Sequence, residues 1–268
     1  REETGPRRRH CGDRKDKTKK MKKYGLIGRN ISYSFSKKYF ENKFRAENLD
    51  DCSYDIFDLE SIDELRDILS DKQIRGLNVT IPYKRAVMDF LDEIDPQATE
   101  VGAVNTVKVH PNGRLSGHNS DVYGFRQALV PFLEPHHERA LILGTGGASD
   151  AVAYVLRHLG IEYYFVSRQK REGRYLTYGE LTEVHVRNCP LIVNATPLGT
   201  FPKVAGCPAL PYETITPAHF LFDLVYNPPL TEFLRRGKAQ GAAICNGYEM
   251  LVGQAEKAWE IWNDPAQL

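Results

Sequence analysis

The stretch Gly144-Thr145-Gly146-Gly147-Ala148 constrains this chain more than any other. It follows the apolar run at 140–143 and leads into a helical run at 148–159 that stops at Gly160. A strand turning through glycines straight into a helix opens a βαβ unit. Glycines let the backbone approach a diphosphate, and the positive helix end favours its charge. The pattern is GxGGxxxA, with Ser149 where the dinucleotide fingerprint has its third glycine. An ordinary tight strand-to-helix turn reads the same way. Further apolar runs at 163–166, 191–194 and 220–224 suit a parallel sheet buried on both faces.

The end of the next strand bears on which dinucleotide fits. An acid there would bind the ribose 2′-hydroxyl of NAD. Here the sequence is Val166-Ser167-Arg168-Gln169-Lys170-Arg171, with three cations and no acid. That suits a 2′-phosphate and points to NADP(H), although a solvated basic loop has the same composition. Asp150 is awkward beside phosphates and is expected to face solvent.

The first half alternates in the same way. Runs at 24–28, 54–59 and 77–81 read as strands. A helix is expected over 37–48, with Phe40 and Phe44 four apart and Ser36 as its N-cap. Ser61-Ile62-Asp63-Glu64 carries a capping-box pattern, and Pro82-Tyr83 is expected to open another helix reaching about residue 92. Runs at 104–109 and 114–116 flank Pro111-Asn112-Gly113, a hairpin turn. This half is therefore largely parallel α/β with one antiparallel piece. A helix after Asp121 joins the halves. The last helix, 249–262, has apolar Leu251, Ala255, Ala258, Ile261 and Trp262 and needs a surface to cover them.

At 268 residues two domains of ordinary size are possible. Residues 1–23 hold eleven Lys/Arg and four acids, while the whole chain is only +1. The body is thus mildly acidic, which argues against a nucleic-acid surface on the fold. The basic segment has too few apolar residues to order itself. Met21 reads as a natural start, so residues 1–21 are set aside as a disordered extension. No apolar stretch approaches the ~20 residues of a membrane span. Five cysteines (11, 52, 189, 207, 245) without a CxxC fit a reduced cytoplasmic protein, and no cluster has metal-ligand spacing.

Two further strand ends carry chemistry. Asn78-Val79-Thr80-Ile81-Pro82-Tyr83-Lys84 offers a lysine, and Asn119-Ser120-Asp121 a carboxylate. A lysine, an aspartate and a glycine loop at three strand ends suggest proton transfer beside a dinucleotide. Taken singly, they read equally as an exposed lysine and a helix-capping aspartate.

Eight pieces in order resemble the shikimate dehydrogenase family. They are Ser34-Phe35-Ser36; Asn78-Val79-Thr80 with Pro82-Tyr83-Lys84; Gly102-Ala103-Val104-Asn105-Thr106; Asn119-Ser120-Asp121; the glycine loop; Asn194-Ala195-Thr196-Pro197; Asp223-Leu224-Val225-Tyr226; and Gly247-Tyr248-Glu249-Met250-Leu251 with Gln254. The chain departs from the family at Asn30, Tyr33, Lys37, Ser120 and Ser167-Arg168-Gln169. The resemblance implies an α/β substrate domain (22–120, completed by 249–268) and a Rossmann NADP-binding domain (121–248), with a cleft between them. It implies NADPH-dependent reduction of 3-dehydroshikimate to shikimate. Lys84 would be the acid-base group, held by Asp121. Ser34 and Ser36 would take the substrate carboxylate, and Asn78, Thr80, Asn105 and Gln254 the ring hydroxyls, with Tyr226 within reach. Gly144, Gly146, Gly147, Ala148, Ser167, Arg168, Thr196 and Gly247 would meet the cofactor. The expected partners are small molecules, with neither nucleic acid nor membrane, and the protein works as a monomer or homodimer. The competing readings are a quinate/shikimate dehydrogenase with broader substrate and NAD(P) use, a folate-type methylene dehydrogenase, and a non-catalytic NADP-binding relative.

Overall fold

The structure is a computed structural model that describes residues 20–31 and 34–265. Nearly all of the basic extension, Tyr33 and the last three residues lie outside the described residues.

The first sheet is built from β1 (Lys22–Gly28), helix α1 (Phe35–Ala46), β2 (Cys52–Asp58), α2 (Leu65–Ser70), β3 (Ile74–Val79), β4 (Glu93–Ile94), α3 (Pro96–Val101), β5 (Thr106–Val109) and β6 (Leu115–His118). Its strand order is β2-β1-β3-β5-β6-β4. The β1 pairings are parallel, whereas β5 runs antiparallel to both β3 and β6. The antiparallel piece turns at Gly113, whose φ of +85° suits glycine.

Helix α4 (Ser120–Leu129) leads to the second sheet, made by β7 (Arg139–Leu143), α5 (Gly147–His158), β8 (Glu162–Ser167), β9 (Tyr175–Thr177), α6 (Glu183–Asn188), β10 (Leu191–Asn194), β11 (Phe220–Asp223), α7 (Glu232–Ala239) and β12 (Ala243–Cys245). All its pairings are parallel, in the order β12-β11-β10-β7-β8-β9. This is the doubly wound arrangement, with its switch point between β7 and β10. Leu141, Ile142, Leu143, Ile192, Val193, Leu221 and Phe222 are all fully buried, as a sheet covered on both faces requires.

The last helix, α8 (Tyr248–Asn263), returns to the first sheet. Trp259 and Trp262 join Tyr24, Phe40, Phe44 and Tyr54 in one aromatic cluster, and Trp262 Nε1–H donates to the Val107 carbonyl at 3.0 Å. This cluster is the covering surface that the apolar stripe needed.

Two expected elements differ. Helix α1 begins at Phe35, and its N-cap is Ser34, whose hydroxyl oxygen accepts the Ser36 N–H at 3.1 Å. Both serines have capping chemistry, and the backbone turns extended one residue earlier. The helix expected from Pro82 is instead a series of turns with a short 3-10 segment, Ala86–Phe90. The Lys84 carbonyl accepts the Val104 N–H at 2.8 Å and is not free for a helical partner.

Helices α4 and α8 cross unusually closely. A Cβ on Gly124 would lie 2.3 Å from the Met250 carbonyl oxygen and 2.9 Å from the Gln254 nitrogen. Both are backbone atoms that cannot swing aside. Gly124→Ala should therefore cost about 1–3 kcal/mol despite the higher helix propensity of alanine. A urea midpoint at or above that of the parent chain would contradict this close crossing.

Candidate active site

The site is centred on an ion pair. Lys84 Nζ donates to Asp121 Oδ2 at 2.6 Å, and the two side chains are only 16% and 9% exposed. Lys84 lies in the turns that follow β3, and Asp121 is the second residue of α4. Asn119 caps α4 instead: its amide oxygen accepts the Val122 N–H at 3.3 Å, and its nitrogen donates to the Ala103 carbonyl at 2.9 Å. Asp121 is therefore left free for the lysine. The positive end of α4 favours its carboxylate.

A cavity of about 240 Å³ opens on one side of this pair. All seven residues expected at the substrate line it: Ser34, Ser36, Asn78, Thr80, Asn105, Tyr226 and Gln254. Asn105 Oδ1 is saturated by the Ser120 N–H at 2.7 Å and the Thr106 hydroxyl at 3.0 Å, so its NH₂ end is left for the cavity. Asn78 Oδ1 accepts the buried Tyr54 hydroxyl at 2.8 Å. Ser120 Oγ reaches Gln254 Oε1 at 3.4 Å, tying α4 to α8. Tyr226 is half-buried, edge-on to Phe35 with centroids 5.6 Å apart, and burial pushes its phenol up. Because the Ser34 oxygen accepts from Ser36, its hydroxyl proton remains available to donate.

A second cavity, of about 490 Å³, opens on the other side. It is walled by Thr145 to Ala148 at the start of α5, with Ala195, Leu224, Gly247 and Met250 opposite. A Cβ added to Gly146 would meet nothing within 4 Å, so this glycine faces open space at a helix N-terminus. That cradle fits a dinucleotide diphosphate. The two cavities share Thr80, Lys84, Asp121, Leu251 and Gln254 in their walls.

Four residues expected at the cofactor lie outside this second wall: Gly144, Ser167, Arg168 and Thr196. The Thr196 hydroxyl donates to Asn194 Oδ1 at 2.7 Å, and the Ser167 hydroxyl to the Gln169 carbonyl. Of the three cations after β8, Lys170 pairs with Glu180 and Arg171 covers the Tyr175 ring. Arg168 remains exposed at the strand end. Asp150 does not face solvent alone: Arg85 pairs with it. Tyr54 supports the site without any signal in the sequence, and Ser120, noted only as a departure from the family, supports it too. In an alternating strand Tyr54 reads as core.

Comparison with known proteins settles the lineage. The sequence profile of the shikimate dehydrogenase substrate binding domain matches residues 26–107. The Clostridium beijerinckii shikimate dehydrogenase (NADP(+)) is 38% identical over 256 residues, covering 91% of this chain and 93% of that protein. The chain belongs to the shikimate dehydrogenase family. Among solved structures, the Thermus thermophilus shikimate 5-dehydrogenase in complex with NADP(H) and shikimate is 33% identical. It superposes with a TM-score of 0.79, covering 91% of this chain and 94% of that one. The Corynebacterium glutamicum quinate dehydrogenase in complex with NAD is 27% identical, with a TM-score of 0.81 and coverage of 91% and 94%. The family fold thus accommodates either nicotinamide cofactor.

Behind the site of this family member, Asp223 at the end of β11 is fully buried. It accepts from Thr231 Oγ1 at 2.5 Å, Asn194 Nδ2 at 2.9 Å and the Val225 N–H at 3.0 Å. Burial pushes its carboxyl from 3.8 up to about 6, against the pull of those three donors. The folded state then holds the proton more tightly than the unfolded chain. This group therefore adds stability as pH falls through about 6, up to about 3 kcal/mol once the pH is below both values. Thermal midpoints of the parent and Asp223→Asn between pH 8 and 5 should diverge, with the parent gaining relative to the variant on acidification. Parallel curves would show that Asp223 does not titrate there.

Proposed function

We propose that this chain catalyses the reversible NADPH-dependent reduction of 3-dehydroshikimate to shikimate, a step of chorismate and aromatic amino acid biosynthesis. The observation that carries this reading is the Lys84–Asp121 pair standing in the shared wall of the two cavities. A proton source at that junction faces a substrate on one side and a dinucleotide on the other. An intact pair also speaks against a non-catalytic relative. A folate-type enzyme would not need the two serines and the amide network.

NADPH supplies the hydride when bound. Lys84 Nζ holds the proton that the substrate's developing alkoxide needs, and takes it back in the oxidative direction. Asp121 holds the lysine side chain in place and would bond a ring hydroxyl with its other oxygen. Ser34 and Ser36 donate to the carboxylate. Asn78, Thr80, Asn105 and Gln254 pair with the ring hydroxyls. A wall of committed polar groups rejects an analogue lacking a hydroxyl, because its own donors would be left unpaired. Thr145 to Ala148 and Gly247 would hold the diphosphate and the nicotinamide end, and Arg168 would face the 2′-phosphate. Residues 22–120 with α8 would form the substrate domain and 121–248 the cofactor domain. The enzyme would work in the cytoplasm as a monomer or homodimer.

The broader quinate reading differs in cofactor and in one hydroxyl of the substrate. The strand end Ser167 to Arg171, free of acids and with Arg168 exposed, favours NADP over NAD. Following NADP⁺ and NAD⁺ reduction with shikimate and quinate, in all four combinations, tests this. Turnover should be confined to shikimate with NADP⁺, and comparable rates with quinate or NAD⁺ would move the protein to the broader class. Lys84→Ala should cut kcat by ~10²-fold or more with substrate binding largely kept, and an active variant would remove Lys84 from its role. Ser34→Ala should raise KM more than it lowers kcat. The reverse pattern would take Ser34 off the carboxylate.

A further inference from the structure

Arg85 directly follows the catalytic lysine, yet it serves the other cavity. It lines the dinucleotide cavity beside Thr145 to Ala148, and its Nη2 is ion-paired with Asp150 Oδ2. Arg85 comes from the half built on the first sheet, and Asp150 from the first turn of α5 in the other half. The Arg85 side chain is 64% exposed and that of Asp150 21%. The pair therefore bridges the cleft at the rim of the glycine loop.

Asp150 poses a physical problem. In the free chain a carboxylate in the first turn of α5 is favourable, because it faces the positive helix end. The same turn is the seat of a diphosphate, and like charges there repel. Lys84 cannot relieve this, since it is committed to Asp121. Among the described residues, the cation paired with Asp150 is Arg85. A guanidinium carries five donors on a planar fork, so it can hold a carboxylate and a phosphate together.

We propose that Arg85 is a cofactor-binding residue supplied across the cleft. Its guanidinium is paired with Asp150 and engages the diphosphate of NADP(H) from there. The inference rests on the NADP-dependent reading above. At the far end of α5, Arg157 pairs with Glu100 of α3 at 2.5 Å, a second tie between the halves. Arg85 can therefore turn between its two anions while α5 stays docked.

The test is NADP⁺ affinity by calorimetry for the parent, Arg85→Gln, Asp150→Asn and the double variant, with 2′-AMP as a ligand that lacks the diphosphate. Arg85→Gln should weaken NADP⁺ binding about tenfold. Asp150→Asn should tighten it, because it removes a like charge and frees the arginine. Adding Arg85→Gln to Asp150→Asn should still cost several-fold, and 2′-AMP affinity should not respond to Arg85→Gln. Were the pair merely a latch between the halves, both single variants would shift affinity in the same direction, which would overturn the proposal. A double variant that binds as well as Asp150→Asn would also overturn it, leaving Arg85 only a neutraliser. Equal losses for NADP⁺ and 2′-AMP would overturn it too. A parent chain that binds neither ligand would remove the cofactor reading itself and the proposal with it.

Discussion

The site depends on how closely α4 and α8 approach. Gly124 lies over the backbone of Met250 and Gln254, and a Cβ on Gly253 would come within 3.2 Å of the Gly124 Cα. Two small residues at one crossing let the helix axes come nearer than ordinary side chains allow. That closeness brings Ser120 to Gln254, and with them Asp121 into the wall facing Lys84. The aromatic end of α8 then fixes the helix on the first sheet through Trp262 and Val107. The last element of the chain thus completes a cavity begun by the first.

The second sheet was legible from sequence because its signals are local. Apolar runs of four or five residues, a glycine loop and a helix ending at Gly160 need no partner to be recognised. The short strands β4, β9 and β12 were not read, since two or three residues carry no periodicity. The stretch after Pro82 failed for a different reason. Its composition allows a helix, but the Lys84 carbonyl is claimed by Val104, twenty residues away. Asp150 failed in the same way, because its partner Arg85 lies across the cleft. The residues that line the smaller cavity are named from motif order, and why each points inward is written in bonds between distant elements. Asn105 is the clearest case: its oxygen is occupied by Ser120 and Thr106, so only its NH₂ end can face a ligand.

The turn after β3 carries two consecutive cations facing two aspartates, Lys84 to Asp121 and Arg85 to Asp150. The aspartates stand in the first turns of successive helices, α4 and α5, so both carboxylates enjoy a positive helix end. What separates the pairs is water. Lys84 and Asp121 are mostly buried, so their pairing is geometrically fixed and costly to break. Arg85 is mostly exposed while Asp150 is half-buried, so water competes for the cation and the pairing is weak enough to be exchanged for a better anion. The exposure of the cation therefore divides one short turn into a pair with fixed geometry, Lys84 with Asp121, and an exchangeable pair, Arg85 with Asp150.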